Sequence, residues 1–275
     1  MDPKKLKELR ILALDLDDTI LRSDLSLSNR TRNILKRLEA EGKITILASG
    51  RIPESMERYV RLLGMNSKAG YLISNNGSLI RESHTNKVLF EAILDRQTIL
   101  TICDLADSEN FPLQMYADRI TYISKQNEYS SRDAEYTGLR QVLVENFRAM
   151  AGNGSYEITI PGDNERLSAI EDLIKNELQE KVETYISRRN FLQITPANIN
   201  KGTSLAKLAD LVGFTASEVI AIGDSMNDEG MICWSGVGVA MASGSEGLKK
   251  AADFVTEFGN DEDGAAEFLE SYFFQ

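Results

Sequence analysis

The sequence predicts an α/β fold in which a parallel-sheet core is interrupted by an inserted α+β unit. Three observations predict it. Short apolar runs alternate with helix-patterned stretches from residue 11 to about residue 80. From about residue 85 the alternation gives way to neighbouring strand-like runs. The first rhythm resumes at residue 200.

The elements follow in order. ILAL (11–14) reads as a strand buried on both faces, because it is a continuous apolar run. Ser28 fits an N-cap, Ile34, Leu35 and Leu38 share one helical face, and Gly42 sits at the stop. KITILAS (43–49) reads as a second strand and IPESMERYVRLLG (52–64) as a second helix. GYLISNNGSLI (70–80) holds a third strand. Next come a strand in KVLFEAIL (87–94), a helix in 95–110 and two strands in 112–124 about a tight Asp118-Arg119 turn. A helix near 132–149, a strand at 155–160 and a helix near 163–178 follow, then strands at 182–187 and 191–195. From 201 the order is helix, strand (VIAIGD), helix, strand (VGVAM), helix, strand (DFVTE), helix. The predicted domains are a core of 1–84 and 196–275 and an insertion of 85–195.

The formal net charge of the 275-residue chain is -11, and its densest basic run, KKLK at 4–7, is short. Nucleic acid and anionic membranes are therefore not predicted partners. The two cysteines, Cys103 and Cys233, lie far apart and read as reduced thiols. No apolar run reaches the roughly 7–15 residues of a secretory signal or the about 20 of a membrane span. The expected compartment is the cytoplasm. The single histidine, His84, sits in the polar stretch RESHTN, which excludes His-cluster zinc sites and reads as surface.

In open parallel sheets, ligands bind beyond the carboxyl ends of the strands. The first strand ends in Asp15-Leu16-Asp17 and the second in Ser49-Gly50-Arg51. The third ends in Ser74-Asn75-Asn76-Gly77, and VIAI ends in Gly223-Asp224, then Ser225, Met226, Asn227 and Asp228. Lys201 opens a helix, where backbone N–H groups favour an anion. Taken singly, each has a plainer reading: an exposed acidic turn, an ordinary turn, a solvated lysine, an Asx-rich loop. Their order and placement join them. Asp15, Asp17 and Asp224 make a set of hard oxygen ligands suited to Mg²⁺. With Lys201, the cation neutralises both the carboxylates and a phosphoryl group. Asp15 would attack phosphorus, and Asp17 would act as acid and then base. Ser49 and the Gly50 amide would hold phosphoryl oxygens.

With these motifs the chain resembles the haloacid dehalogenase (HAD) superfamily, in its Cof-type branch with a large α/β (type II) cap. DLDDT (15–19) is similar to the family's DxDxT, and Ser49 of ASGR stands where Thr is commoner. NKG gives Lys201, and GDSMND gives Asp224, Asn227 and Asp228. NNG (75–77) and TEFGNDEDG (256–264) also match. Asp18 replaces the usual glycine.

The resemblance implies a Rossmann-like core with an inserted cap that selects substrate. It implies Mg²⁺-dependent phosphatase action on small phosphorylated metabolites, of sugar phosphate, pyridoxal phosphate, flavin mononucleotide or nucleotide type. It makes Asp15 nucleophile and metal ligand, and Asp17 acid/base and ligand through its carbonyl. Asp224 and Asp228 stand with the metal. The Leu16 N–H, Lys201 and Asn227 join Ser49 and Gly50 in holding phosphate. A phosphohexomutase would share this core. A phospho-Asp receiver is a second alternative, but it is shorter and has no equivalent of Asp17 or GDSMND. In the cap, Arg188-Arg189 is the only adjacent basic pair, read either as solvated surface or as a contact to the substrate's non-transferred part.

Overall fold

The computed structural model describes residues 9–67, 69–187 and 190–274. Packing divides the chain into two units. One comprises Met1–Gly50, Met56–Phe90 and Asn200–Gln275; the other comprises Arg51–Ser55 and Glu91–Ile199.

The first unit is built on an eight-stranded sheet. Its strands are β1 (Ile11–Leu14), β2 (Ile44–Ala48), β3 (Tyr71–Ser74), β4 (Leu79–Glu82), β5 (Val88–Glu91), β12 (Val219–Gly223), β13 (Val237–Ala240) and β14 (Phe254–Val255). They lie in the order β14-β13-β12-β1-β2-β3-β4-β5. The pairs from β14 through to β3 are parallel, and β4 runs antiparallel to β3. Among the described residues its α-helices are α1 (Asn29–Ala40), α2 (Pro53–Leu63), α6 (Lys201–Val212), α7 (Glu229–Trp234), α8 (Glu246–Ala251) and α9 (Gly264–Phe274). The start of α2, residues 53–55, falls in the second unit. Ser28 caps α1 by accepting from the Thr31 N–H at 3.0 Å.

Both faces of this sheet are covered, as continuous apolar strands require. Leu12 and Leu14 point to one side, into a core with Leu35, Leu38, Met56, Ile222 and Leu269. Ile11 and Ala13 point to the other, toward Leu205, Leu208, Met231 and Ile232. Trp234 joins that second core, edge-on to Phe214 with ring centroids 6.4 Å apart.

The second unit carries the six-stranded sheet β10-β11-β9-β6-β7-β8. Its strands are β6 (Gln114–Ala117), β7 (Ile120–Ile123), β8 (Arg140–Leu143), β9 (Ile158–Pro161), β10 (Val182–Ser187) and β11 (Phe191–Pro196), and its helices are α3 (Arg96–Ser108), α4 (Glu128–Thr137) and α5 (Asn164–Leu178). Asp118 and Arg119 turn β6 into β7 with φ of 50° and 62°, the two left-handed residues that such a hairpin needs. One sheet face is apolar: Leu113, Met115, Ile158, Ile160, Leu192 and Ile194 pack on residues of α3 and α5. Strand alternation sends Gln114, Tyr116, Thr159, Gln193 and Thr195 to the opposite face. There the Tyr116 hydroxyl donates to Asp133 of α4 at 3.0 Å.

Three local differences from the sequence reading have physical causes. The stretch 70–80 is a hairpin, because Asn75, Asn76 and Gly77 all adopt positive φ and reverse the chain. KVLFEAIL belongs in part to the first unit's sheet, as β5, so packing separates the units after residue 90 rather than at 85. The stretch 132–149 holds the end of α4, strand β8 and a 3₁₀ turn, since Arg140–Leu143 pairs in parallel with Ile120–Ile123.

Candidate active site

β1 lies between β12 and β2, with Leu14 opposite Ile222 on one side and Leu47 on the other. Because all three run parallel and in register, their carboxyl ends meet at one rim. Asp15 follows β1 directly, its N–H donating to the Ile222 carbonyl at 3.0 Å. Asp224 follows β12, and Ser49 follows β2, donating its N–H to the Ile73 carbonyl at 2.8 Å.

The chain from Leu16 to Ile20 makes one wide turn. Asp18 sits in it with φ 56° and ψ 14°. That is the left-handed region, where glycine is at ease and Asp is among the tolerated exceptions. The turn therefore accounts both for the glycine common at this position and for the Asp found here.

Lys201 opens α6. Asn200 caps that helix, its side chain accepting from the Thr203 N–H at 2.9 Å while the Thr203 hydroxyl accepts from the Asn200 N–H. Lys201 is 1% exposed. Its Nζ donates to Asp15 Oδ1 at 2.6 Å and to Asp228 Oδ1 at 2.6 Å. Asp228 is held in turn: its Oδ2 accepts from the N–H groups of Asp224 (2.9 Å) and Ser225 (3.1 Å). Gly223 makes room for it, since a Cβ there would lie 2.5 Å from the Asp228 Cβ.

Carboxylate oxygens of Asp15, Asp224 and Asp228 can all lie within 4.8 Å of one another, each residue buried. Burial pushes the Asp15 carboxyl well above the usual carboxylate range; Lys201 offsets this in part, and Asp228, Asp224 and Asp17 add to it. Burial works against charge on Lys201, but its two carboxylate partners outweigh it and hold the ammonium above its ordinary value. A buried group of like charges with one ammonium is short of positive charge. The donor set is hard, anionic and compact, which fits Mg²⁺.

The structure brings Asp15, Ser49, Lys201, Asp224 and Asp228 to the rim as the sequence placed them, with Leu16, Asp17 and Gly50 adjoining Asp15 and Ser49 in the chain. Asn227 joins them in the loop after Asp224. Arg188 and Arg189 lie outside the described residues. His84 is exposed. One participant was not given a role from sequence: Asn76, whose side chain accepts from Asn227 Nδ2 at 3.0 Å. The signal was present, because Asn-Asn-Gly marks a tight turn, but the turn's contact with residue 227 depends on the fold.

The family model for haloacid dehalogenase-like hydrolases matches residues 12–269. YxeH of Bacillus subtilis is 30% identical over 265 residues, covering 94% of this chain and 97% of its own. The 5-amino-6-(5-phospho-D-ribitylamino)uracil phosphatase YcsE, also of Bacillus subtilis, is 27% identical, with 95% of each chain covered. A haloacid dehalogenase-like hydrolase from Bacteroides thetaiotaomicron has a similar solved structure at TM-score 0.88 and 31% identity, covering 96% of this chain and 99% of that one. The chain belongs to the haloacid dehalogenase-like hydrolase family. Within it, the chain is a phosphoric monoester hydrolase of the Cof type.

Proposed function

We propose that the chain is a Mg²⁺-dependent phosphatase that hydrolyses small phosphorylated metabolites through an aspartyl-phosphate on Asp15. The observation that carries this reading is the 2.6 Å contact between Lys201 and Asp15 inside the buried acidic rim. It holds a carboxylate next to fixed positive charge at the carboxyl end of the central strand. Asp15, Asp224 and Asp228 would hold the cation through their carboxylates and Asp17 through its backbone carbonyl, with Asp228 the most committed elsewhere, to Lys201 and two amides. When bound, Mg²⁺ supplies charge neutralisation between these carboxylates and a phosphoryl group.

The chain's own residues do the rest. An Asp15 oxygen forms a bond to phosphorus as the ester P–O bond breaks, and Asp17 gives its proton to the leaving oxygen. Asp17 then takes a proton from a water. The water oxygen bonds to phosphorus, the P–O bond to Asp15 breaks, and phosphate leaves with the carboxylate restored. Ser49, the Gly50 and Leu16 amides, Lys201 and Asn227 hold the phosphoryl oxygens.

The inserted unit selects the substrate in this reading. A hydroxyl-rich leaving group is supported by the relative YcsE, which carries the name of a phosphatase acting on a ribityl phosphate. The expected compartment is cytoplasmic; among the described residues no helix is long and apolar enough to cross a membrane.

The test is phosphate release from a panel of phosphorylated metabolites, with Mg²⁺ and after metal removal by EDTA. Release that needs the metal and is fastest on polyol or sugar phosphates is expected. Full activity after confirmed metal removal would overturn the metal dependence, and a preference for nucleotides or pyridoxal phosphate would overturn the substrate class.

A further inference from the structure

The turn Asn75-Asn76-Gly77 touches three of the elements that hold phosphate in the proposed reaction. The Asn76 N–H donates to the Ser49 carbonyl at 3.2 Å. The Gly77 carbonyl accepts from Ser204 Oγ of the Lys201 helix at 2.7 Å. A Cβ at Gly77 would lie 2.6 Å from the carbonyl oxygen of Asn200, the cap of that helix, so the turn lies directly against it. The third contact is the amide pair, Asn227 Nδ2 to Asn76 Oδ1 at 3.0 Å.

The backbone of the turn is specialised for this. Asn75, Asn76 and Gly77 have φ of 50°, 52° and 115°. Consecutive left-handed residues need glycine or asparagine. Asn76 is also fully buried, so its side chain is committed to the interior.

Asn227 is fixed from both ends. Its Oδ1 accepts from the Ser225 hydroxyl at 2.6 Å, while one N–H goes to Asn76. An asparagine amide can turn over by 180° at little steric cost, which exchanges donor for acceptor. With its carbonyl and one N–H engaged, the amide is held in one orientation, and a single N–H remains to donate to a phosphoryl oxygen. Without Asn76, the acceptor that selects this orientation is lost. The carbonyl could then face an anion.

We infer that Asn76 is a positioning residue: it sets the donor orientation of Asn227 and so the affinity of the site for the phosphoryl group. This rests on the reading of Asn227 as a phosphate-holding group. Asn76→Gly is the suitable variant, because glycine keeps the left-handed backbone and removes only the side chain.

The experiment is a double-mutant cycle of Asn76→Gly and Asn227→Ala. The readouts are KM and kcat on p-nitrophenyl phosphate, inhibition by inorganic phosphate, and the thermal midpoint of each variant. Losing the orienting hydrogen bond should weaken phosphate inhibition and raise KM by about 5- to 10-fold, with a smaller change in kcat. In the Asn227→Ala background the same substitution should add less than about 2-fold, since there is no amide left to orient. Equal loss in both backgrounds would show that Asn76 acts only through the general stability of the turn and would overturn the inference. So would an Asn76→Gly enzyme with unchanged KM and phosphate inhibition. A wild-type protein that releases no phosphate from any ester would instead overturn the proposed function, a separate outcome.

Discussion

The Nζ of Lys201 lies 2.6 Å from Asp15 Oδ1 and 2.6 Å from Asp228 Oδ1, with all three side chains buried. One ammonium thus serves two carboxylates. The arrangement holds only while that charge is present, because an unpaired buried carboxylate is costly. Lys201→Met keeps most of the length of the side chain and removes the charge. It should lower stability by roughly 3–5 kcal/mol, the cost of breaking a buried pair from one side, and stop turnover. The loss of thermal midpoint should be larger in EDTA than in Mg²⁺, since the cation supplies some of the missing charge. A melting curve that matches wild type in EDTA would contradict this.

The two acidic residues of DLD should separate by phenotype. Asp15→Asn cannot form a bond to phosphorus and should give no detectable turnover. Asp17→Asn keeps the nucleophile and should slow turnover by about 10²–10⁴-fold, the usual worth of one acid/base role. Because the base step is slowed too, covalent phosphate should collect on Asp15 and be visible as a mass increase in acid-quenched protein. Turnover by the Asp15→Asn enzyme at the wild-type rate would remove the nucleophile assignment.

How much of this was legible in the sequence depended on the range of the contacts involved. The helix from Asn29 could be placed because its cap, its apolar face and its glycine stop lie within one segment. The rim residues could be placed because a parallel sheet brings carboxyl ends together whatever its exact register. Strand β8 was not legible: Arg140–Leu143 becomes a strand by pairing with residues twenty positions earlier, and Leu143 remains 63% exposed. The hairpin at 70–80 was hidden by an apolar run on both sides of the turn. The Asn76–Asn227 pair spans 151 positions, and no local pattern marks it.

Asp133 in the inserted unit gives a pH prediction. Burial raises its carboxyl from 3.8 to about 6, against the opposing hydrogen bonds from Tyr116 and Thr121 and the Arg51 charge. The folded state therefore holds a proton that the unfolded state has lost between these values. Stability is unaffected by this group below about pH 4, falls as pH rises through the window from 3.8 to about 6, and stays lower above it. The full effect is on the order of 3 kcal/mol. Asp133→Asn keeps an acceptor for the Tyr116 hydroxyl and carries no charge. Thermal melts of the variant should lose the pH slope of this window and lie above wild type at pH 8. A slope unchanged from wild type would show that Asp133 is not its source.

Gly202 offers a test of how closely the Lys201 helix must be seated. A helix ordinarily favours alanine over glycine, by up to about 1 kcal/mol in its interior, so local propensity alone predicts that Gly202→Ala, in the first turn, stabilises α6. The tertiary structure predicts the reverse. A Cβ on residue 202 would lie 2.2 Å from the carbonyl carbon of Gly230 and 2.3 Å from its oxygen. Those are backbone atoms near the start of α7 and cannot rotate away, so one helix has to move off the other. Forced overpacking of this kind costs typically about 1–3 kcal/mol. The displacement also reaches Lys201, one residue away, whose Nζ has to stay within hydrogen-bond reach of Asp15. A shift of about 1 Å at such a position can cost about 10²-fold in rate. Gly152→Ala is the control, because a Cβ there meets nothing within 4 Å, and its stability should stay within about 0.5 kcal/mol of wild type. The Gly202→Ala protein should melt earlier than the control and turn over more slowly at saturating substrate. If it instead melted later and kept its rate, helix propensity would outweigh the packing of α6 on α7, and the seating of Lys201 would not depend on glycine at this contact.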